Sequence, residues 1–230
     1  MPVRPSDVIV VGAGIVGCAV AHELARRGAS VDVVDDRAVG MGATQASAGV
    51  LAPYIEAREG NPLLDLGVRS LGLYDDFVAR ASTDSGVIVP YRRTGTLDIA
   101  LDDADLRTLG ETASVLAHRG VPAVLIDGAA ARLEEPHLCD GVAGALIIEE
   151  HGFVNAAELT RALAAGARRR GAQLIESSRV RRVAHSGGDI VVETDRGSLV
   201  GGAVVLAAGS WCGDVVVEGA STTVPVRPVR

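Results

Sequence analysis

Residues 7–36, DVIVVGAGIVGCAVAHELARRGASVDVVDD, constrain the fold more than any other stretch of this chain. Val8–Val11 is a short continuous apolar run, the pattern of a strand buried on both faces. It leads straight into Gly12-Ala13-Gly14-Ile15-Val16-Gly17. Apolar residues at helical spacing continue to about Arg27, where Gly28 supplies a stop. A second strand, Ser30–Val34, then ends on Asp35. Together these segments form a complete βαβ dinucleotide-binding unit. Gly12 allows the tight turn out of the strand, and Gly14 lets backbone approach a pyrophosphate where any Cβ would intervene. Gly17 and the small Ala21 let the helix pack close to the sheet. The helix start offers unpaired N–H groups and a positive dipole end to phosphates. Asp35, roughly 20 residues past the glycines, places a carboxylate where ribose hydroxyls can donate to it. A plain βα turn would use the same glycines for packing alone. The strand, helix, second strand and terminal acid, all in order, argue against that reading.

The 230 residues suffice for one large domain or two small ones. With 48% hydrophobic residues and a mean hydropathy of +0.28, the chain can build a substantial core. Its net charge of −7 argues against a nucleic-acid partner, which would call for a basic patch. Arg168-Arg169-Arg170 reads as the solvated end of a helix, where cations complement the dipole. Cys18, Cys139 and Cys212 are far apart and odd in number, so neither a disulfide framework nor a metal site is expected. Cys18 falls on the buried face of the first helix. The first strand begins by residue 8, leaving no room for a signal peptide. No apolar run is long enough to span a bilayer. These features lead us to expect a soluble, cytoplasmic protein.

Beyond Asp35 the pattern changes. Residues 39–53 are a run of small residues with hydroxyl and amide side chains, which permits close backbone approach to a large flat ligand. An ordinary alanine-rich loop gives the same composition. Pro62–Arg80 has helical spacing, and residues 86–101 read as two strands around a turn. Asp103–Arg119 is helical, Val124–Ile126 a short strand, Gly128–Leu133 a short helix and Gly144–Ile148 a strand. Asn155 caps a helix over Ala156–Arg170. Short strands follow at 173–176, 179–185, 189–194 and 198–200, the last two joined as a hairpin through Asp195-Arg196-Gly197. Ala203–Leu206 is a buried strand entering a small-residue turn at Ala207-Ala208-Gly209. The tail, 221–230, reads as an extended crossing strand.

These segments taken together resemble the FAD-dependent amino-acid oxidase superfamily, nearest its glycine-oxidase members of thiamine biosynthesis. The residues that carry the likeness are DVIVVGAGIVGCAVAHELARRG, Asp35, GATQASAGVLAP, NPLLDLGVRSLGLYDDF, GTLDIAL, GALIIEEHGFVNAAELTRAL and VVLAAGSW. The first motif is common to many flavoproteins; ASAGVLAP and GFVNAAEL are more specific. The resemblance implies an α/β fold, with an FAD-binding Rossmann-like domain and an interleaved, partial α+β substrate domain built on antiparallel sheet. Residues 1–85 and 154–230 would form the first and residues 86–153 the second. Gly12, Ala13, Gly14, Ile15, Val16 and Gly17 would cradle the FAD pyrophosphate. Asp35 would hold the adenosine ribose, with Asp36 and Arg37 beside it. Thr44, Gln45 and Ala46 would lie along the phosphates and ribityl chain, and Gly49, Val50 and Leu51 would approach the isoalloxazine. Val180 would supply backbone contacts to adenine, and Ala207, Ala208, Gly209 and Trp211 would close the site. Asp35 stands where Glu is commoner in the family, and Asp36 where a basic residue is frequent. Members of the family continue past the point where this chain stops, so it is expected to be truncated at the C-terminus. The part beyond would carry the substrate-binding arginine and tyrosine, more of the substrate sheet and a last glycine-rich loop.

The implied chemistry is hydride transfer from the α-carbon of a small amino acid to flavin, giving an imine, with oxygen or another acceptor taking the electrons. A homo-oligomer is left open. No residue reads as catalytic. His22 reads as a surface or packing residue and His151 as part of a polar turn. Of Arg92 and Arg93, alternation turns only one inward. Three readings stand: an FAD-dependent amino-acid oxidase or dehydrogenase, a non-catalytic FAD-binding fragment or subunit completed elsewhere, and an NAD(P)-dependent dehydrogenase. The third is disfavoured because nothing after Asp35 continues a parallel nucleotide sheet.

Overall fold

The computed structural model describes residues 5–56 and 62–220. The expected strand over 221–230 lies outside them. The chain opens with β1 (Ser6–Val11), α1 (Ile15–Arg26) and β2 (Val31–Val34), then a 3-10 turn over Ala43–Ala46. There follow β3 (Val50–Leu51), α2 (Pro53–Glu56), α3 (Pro62–Ser85), β4 (Tyr91–Arg92), β5 (Thr96–Ala100), α4 (Asp103–His118), β6 (Ala123–Asp127) and α5 (Gly128–Glu134). The remainder is β7 (Gly144–Ile148), β8 (Gly152–Val154), α6 (Ala156–Arg169), β9 (Gln173–Ile175), β10 (Val180–Ser186), β11 (Asp189–Thr194) and β12 (Gly197–Leu206). A 3-10 turn over Gly209–Asp214 and β13 (Val216–Val217) complete it.

These elements form two compact units. The first comprises residues 1–48, 78–90 and 155–230, the second residues 49–77 and 91–154. The expected boundaries differ in three places: residues 49–77 and residue 154 lie with the second unit and residues 86–90 with the first. The chief cause is α3, whose early residues Leu64 and Leu71 join the second unit's core, while its last turn, with Asp84, bonds within the first. The helix also outruns its expected end at Arg80, because its stop signal is Gly86, whose φ is +72° and whose N–H donates to Ser82 O at 2.8 Å.

The first unit is built on a seven-stranded sheet ordered β13-β10-β11-β12-β1-β2-β9. β1 is paired in parallel on both sides, with β2 and with β12. It is thus a point at which the chain departs one way and returns the other, where open α/β sheets place their ligands. Ile9, Val10, Val33 and Val34 are at most 1% exposed; each such side chain contributes on the order of 1.5–3 kcal/mol by burial. The expected short strands at 198–200 and 203–206 are one strand. β12 pairs antiparallel with β11 through Gly201 and then parallel with β1 from Gly201 onward. Glycine at 201 lets it through, since a Cβ there would stand 3.0 Å from Ile9 Cγ1.

α1 and α6 pack against one another on a small-residue face. His22, 2% exposed, lies against Gly166, where a Cβ would meet its ring at 2.9 Å. His22 Nε2 bonds Asp84 Oδ2 at 2.8 Å, and Arg170 pairs with the other oxygen at 2.7 Å. His22 is therefore a packing residue. The end of the arginine run is tied down rather than simply solvated. Asn155 Oδ1 accepts from Glu158 N at 3.0 Å and caps α6.

The second unit carries two three-stranded antiparallel sheets, β3-β8-β4 and β5-β7-β6. β4 and β5, read from sequence as partners around a turn, belong to different sheets. The turn between them holds Gly95 at φ +76°, with its N–H donating to His151 O at 2.9 Å. That bond directs the chain toward β7. No helix among the described residues is long and apolar enough to cross a membrane.

Candidate functional site

A cleft of about 230 Å³ opens at the carboxyl ends of β1, β2 and β12, wholly within the first unit. Gly12 makes the turn out of β1 at φ +109°, and a Cβ on it would stand 2.4 Å from Ala207 O. Gly17 packs α1 onto the turn, where a Cβ would stand 1.9 Å from Gly12 O. Both glycines are thus explained by the protein itself. Gly14 is not. Its φ is −72°, open to any residue, and a Cβ there would meet among the described residues only Thr44 Oγ1, at 3.4 Å. α1 begins at this glycine without a side-chain cap. Ile15 N–H donates to Thr44 Oγ1 at 3.0 Å, and Val16, in the same first turn, is 64% exposed. The helix start therefore presents backbone N–H groups and a positive dipole end to the cleft.

Asp35 lines the cleft beyond the end of β2. Its Oδ2 accepts from Ala13 N at 2.6 Å and its Oδ1 from Arg37 N at 2.9 Å, which fixes the carboxylate plane. Burial pushes the Asp35 carboxyl above its ordinary value; the two N–H donors oppose that shift and the neighbouring Asp36 adds to it. The rim is a chain of exposed charges. Asp36 lies 3.6 Å from Arg37 Nε and 3.7 Å from Arg179 Nε, and Arg179 Nη2 lies 3.9 Å from Asp214. Arg37 also sits over the Trp211 ring at 4.2 Å, a cation–π contact. The two adjacent acids, Asp35 and Asp36, are thus offset by two arginines rather than by Arg37 alone.

The family model described as FAD dependent oxidoreductase matches residues 7–230. The chain belongs to that family. A glycine oxidase from Geobacillus kaustophilus is 30% identical over 206 residues, covering 89% of this chain and 55% of that protein. A bifunctional ThiO/ThiG protein from Synechocystis is 29% identical over 98% of this chain and 32% of its own length. The crystal structure of the Geobacillus kaustophilus glycine oxidase superposes with a TM-score of 0.87 at 29% identity, over 90% of this chain and 56% of that one. The chain therefore spans about half the length of the glycine oxidase, and about a third of the bifunctional protein.

FAD is the cofactor of this FAD-dependent family, and the cleft suits its dinucleotide end. Gly14 leaves a bare backbone at a helix start where only Ile15 N–H is taken by a side chain, Thr44, an arrangement that receives a phosphate. The volume lies below the span usual for small-molecule sites, roughly 300–1,000 Å³. The first unit by itself thus encloses part of a ligand as long as FAD.

Of the residues expected at the site, Gly12, Gly14, Ile15, Val16, Asp35, Asp36, Arg37, Thr44, Val180, Ala207, Ala208, Gly209 and Trp211 line the cleft. Ala13 and Gly17 stand behind it, Ala13 through its N–H bond to Asp35 and Gly17 through its packing on Gly12. Gln45 and Ala46 do not line it; Gln45 Nε2 turns back to Met41 O at 3.1 Å. Gly49, Val50 and Leu51 belong to the second unit, where Val50 and Leu51 pair with β8. Arg179 and Asp214 are cleft residues that the sequence reading missed. Ser178 N donates to Asp35 O at 2.9 Å, a contact spanning much of the chain that draws this segment to the cleft. No local pattern encodes it.

In the second unit, His151 is fully buried. Its Nε2 accepts from Tyr54 N at 3.3 Å and its Nδ1 bonds Thr96 Oγ1 at 2.7 Å, while its ring stacks on Tyr54 at 5.3 Å. It closes the Glu149-Glu150 turn, its N–H donating to Ile148 O at 3.4 Å, and its side chain is part of the core. Burial, helped by the Arg93 charge, lowers its pKa to about 4. Arg93 is the inward-turned member of the arginine pair: it bonds Leu71 O at 2.6 Å and Glu150 O at 2.7 Å, whereas Arg92 is exposed.

Proposed function

We propose that this chain is the cofactor-binding part of an oxidoreductase that oxidises a small amino acid, glycine or a D-amino acid, at its C–N bond. The observation that carries the reading is Gly14, a glycine that nothing among the described residues requires, at the opening of a helix that lines the cleft with Asp35. The name of the relative from Geobacillus kaustophilus, glycine oxidase, supports the amino-acid substrate. In this reading the turn of Gly12, Ala13, Gly14, Ile15, Val16 and Gly17 cradles the pyrophosphate, with Gly14 and Val16 offering backbone N–H groups while those of Gly12, Ala13 and Ile15 are held by Val34 O, Asp35 Oδ2 and Thr44 Oγ1. Asp35 accepts from the adenosine ribose hydroxyls, with its plane already set by Ala13 and Arg37 N–H. Asp36, Arg37 and Thr44 flank the phosphates, Val180 meets adenine with its backbone, and Ala207, Ala208, Gly209 and Trp211 close the cleft. Bound FAD would supply the two-electron acceptor for hydride leaving the substrate α-carbon, with an imine as the organic product and oxygen or another acceptor downstream. The task of this chain's residues is to bind and orient, and none of them needs to move a proton.

A second reading is favoured by the coverage of about half the glycine oxidase: a flavin-binding module that turns over substrate only when completed by a further segment or a partner chain. The visible spectrum of the purified chain with added FAD, followed by glycine under anaerobic conditions, tests both. A protein-bound flavin spectrum that bleaches supports the enzyme. A bound spectrum that stays unchanged with glycine and with D-alanine supports the module. Failure to bind FAD at all overturns both.

A further inference from the structure

α3 carries two apolar stripes. Leu64, Val68 and Leu71 lie on one and pack into the second unit's own core. Leu63, Leu66 and Leu73 lie on the other, and they are 64%, 64% and 57% exposed. Together with Ser70, which is exposed, and Phe77, which is half-buried, they recur at alternating intervals of three and four residues. That is the spacing of the seam in a two-stranded coiled coil. Single exposed leucines are ordinary on a protein surface, but three along one line of one helix make a patch of the kind that marks an interaction site. All five seam residues belong to the second unit.

The residues beside the seam specify what covers it. On its outer flank stand Arg69 and Asp76, both exposed and neither ion-paired among the described residues. On its inner flank stand Gly67 and Tyr74, which carry no charge. In an antiparallel helix pair, each seam position meets the alternate seam position of the other helix, and like flanks face each other. A second copy of α3 laid antiparallel on the first therefore sets Ser70 against Leu73 of the other copy, and Leu66 against Phe77. The outer flanks then meet, and Arg69 of each copy faces Asp76 of the other. A parallel pair would set Ser70 against Ser70 and Arg69 against the uncharged Tyr74. An isologous contact uses one patch twice and must be complementary to itself. The α3 stripe meets that condition, since it holds both members of the charge pair on one flank.

We propose that α3 is a self-association surface, through which two copies of this chain pair antiparallel about a twofold axis with two reciprocal Arg69–Asp76 ion pairs. The seam covers about four helical turns, well short of a standard interface of roughly 1,600 Å². The dimer is therefore weak and exchanges with monomer at micromolar concentration. This surface stands on the second unit alone and does not depend on the flavin reading.

Sedimentation velocity of the 230-residue chain tests the proposal, run with reductant because Cys139 is exposed and could cross-link copies. The weight-average mass is expected to rise from 23.6 kDa toward twice that value between about 1 and about 300 µM protein. Leu73→Glu should remain monomeric throughout while its circular dichroism melt shows a folded protein. Arg69→Glu and Asp76→Arg, each alone, set like charges against each other across the axis and should weaken the dimer at least tenfold. Both positions are exposed, so these variants carry the test even where Leu73→Glu fails to fold. The double variant exchanges the two charges and should recover the wild-type dissociation constant within threefold. A folded wild-type chain that stays monomeric at the highest concentration would overturn the proposal. So would a dimer that survives Leu73→Glu, or a double variant no tighter than the single ones.

Discussion

Acidification from pH 7 to 4.5 should cost this protein stability through one residue, His151. Its neutral form is built into the second unit. Tyr54 N–H donates to Nε2, so Nε2 must carry the lone pair, and Nδ1–H then donates to Thr96 Oγ1. A proton on Nε2 would set two N–H groups against each other in a fully buried site. The pKa of about 4, against an ordinary histidine value of 6.5, expresses that cost. A depressed histidine pKa means that the unfolded chain takes up its proton first as the pH falls. The stabilisation is complete above 6.5 and is lost progressively down to about 4. At ~1.4 kcal/mol for each tenfold in proton affinity, the gap amounts to about 3 kcal/mol, a large share of a typical domain stability of about 5–15 kcal/mol.

Urea titrations followed by circular dichroism at pH 7.0, 6.0, 5.0 and 4.5 would read this loss directly. The carboxylates held below their ordinary values, Glu23, Asp75, Asp84 and Glu135, lose their pairing at more acidic pH, so they fall outside the window. His151→Asn removes the titrating group. That variant is expected to be less stable at pH 7, having lost the stacked ring, but to show a flatter acid limb between 6.5 and 4.5. A variant whose acid limb is as steep as that of the wild type would refute the assignment. So would a wild-type His151 ring resonance that titrates near 6.5 in NMR.

The glycines of the nucleotide turn should separate by function. Gly14→Ala should leave urea stability within about 0.5 kcal/mol of wild type and lower FAD affinity at least tenfold in a fluorescence titration. Gly17→Ala, with its Cβ 1.9 Å from Gly12 O, should lose more than about 3 kcal/mol or fail to fold. Because the Asp35 carboxyl is held above its ordinary value, FAD affinity should begin to weaken on acidification at a higher pH than an exposed aspartate would give. Asp35→Asn should remove that pH dependence together with much of the affinity. Burial holds the Cys18 thiol at about 12, while Cys139 is exposed. Iodoacetamide should therefore alkylate Cys139 in the native protein and reach Cys18 only after unfolding, as peptide mass mapping would show.

What was legible in the sequence is what local chemistry enforces. Gly12 and Gly17 were assigned their tasks from spacing alone, and the clashes at 2.4 and 1.9 Å show why no other residue fits. Asn155 and Gly28 marked helix ends because capping and positive φ depend on one or two residues. The errors share a cause. β4 and β5 look like partners because strand pairing between neighbours is the default, yet β4 pairs with β8 and β5 with β7, both far onward in the chain. Arg179 and Asp214 reach the cleft through the Ser178–Asp35 contact and the β10–β13 pairing, both settled by the assembled sheet. The histidines make the same point from the other direction. His22 and His151 look alike in sequence, each a single histidine with a glutamate next to it. One is tied to a carboxylate brought in by α3, the other to a tyrosine amide and a threonine hydroxyl. His151 cannot accept a proton on Nε2 without losing its partner there, because that partner is itself a donor. The acid response of His151 thus comes from the direction of one hydrogen bond, which only the assembled fold determines.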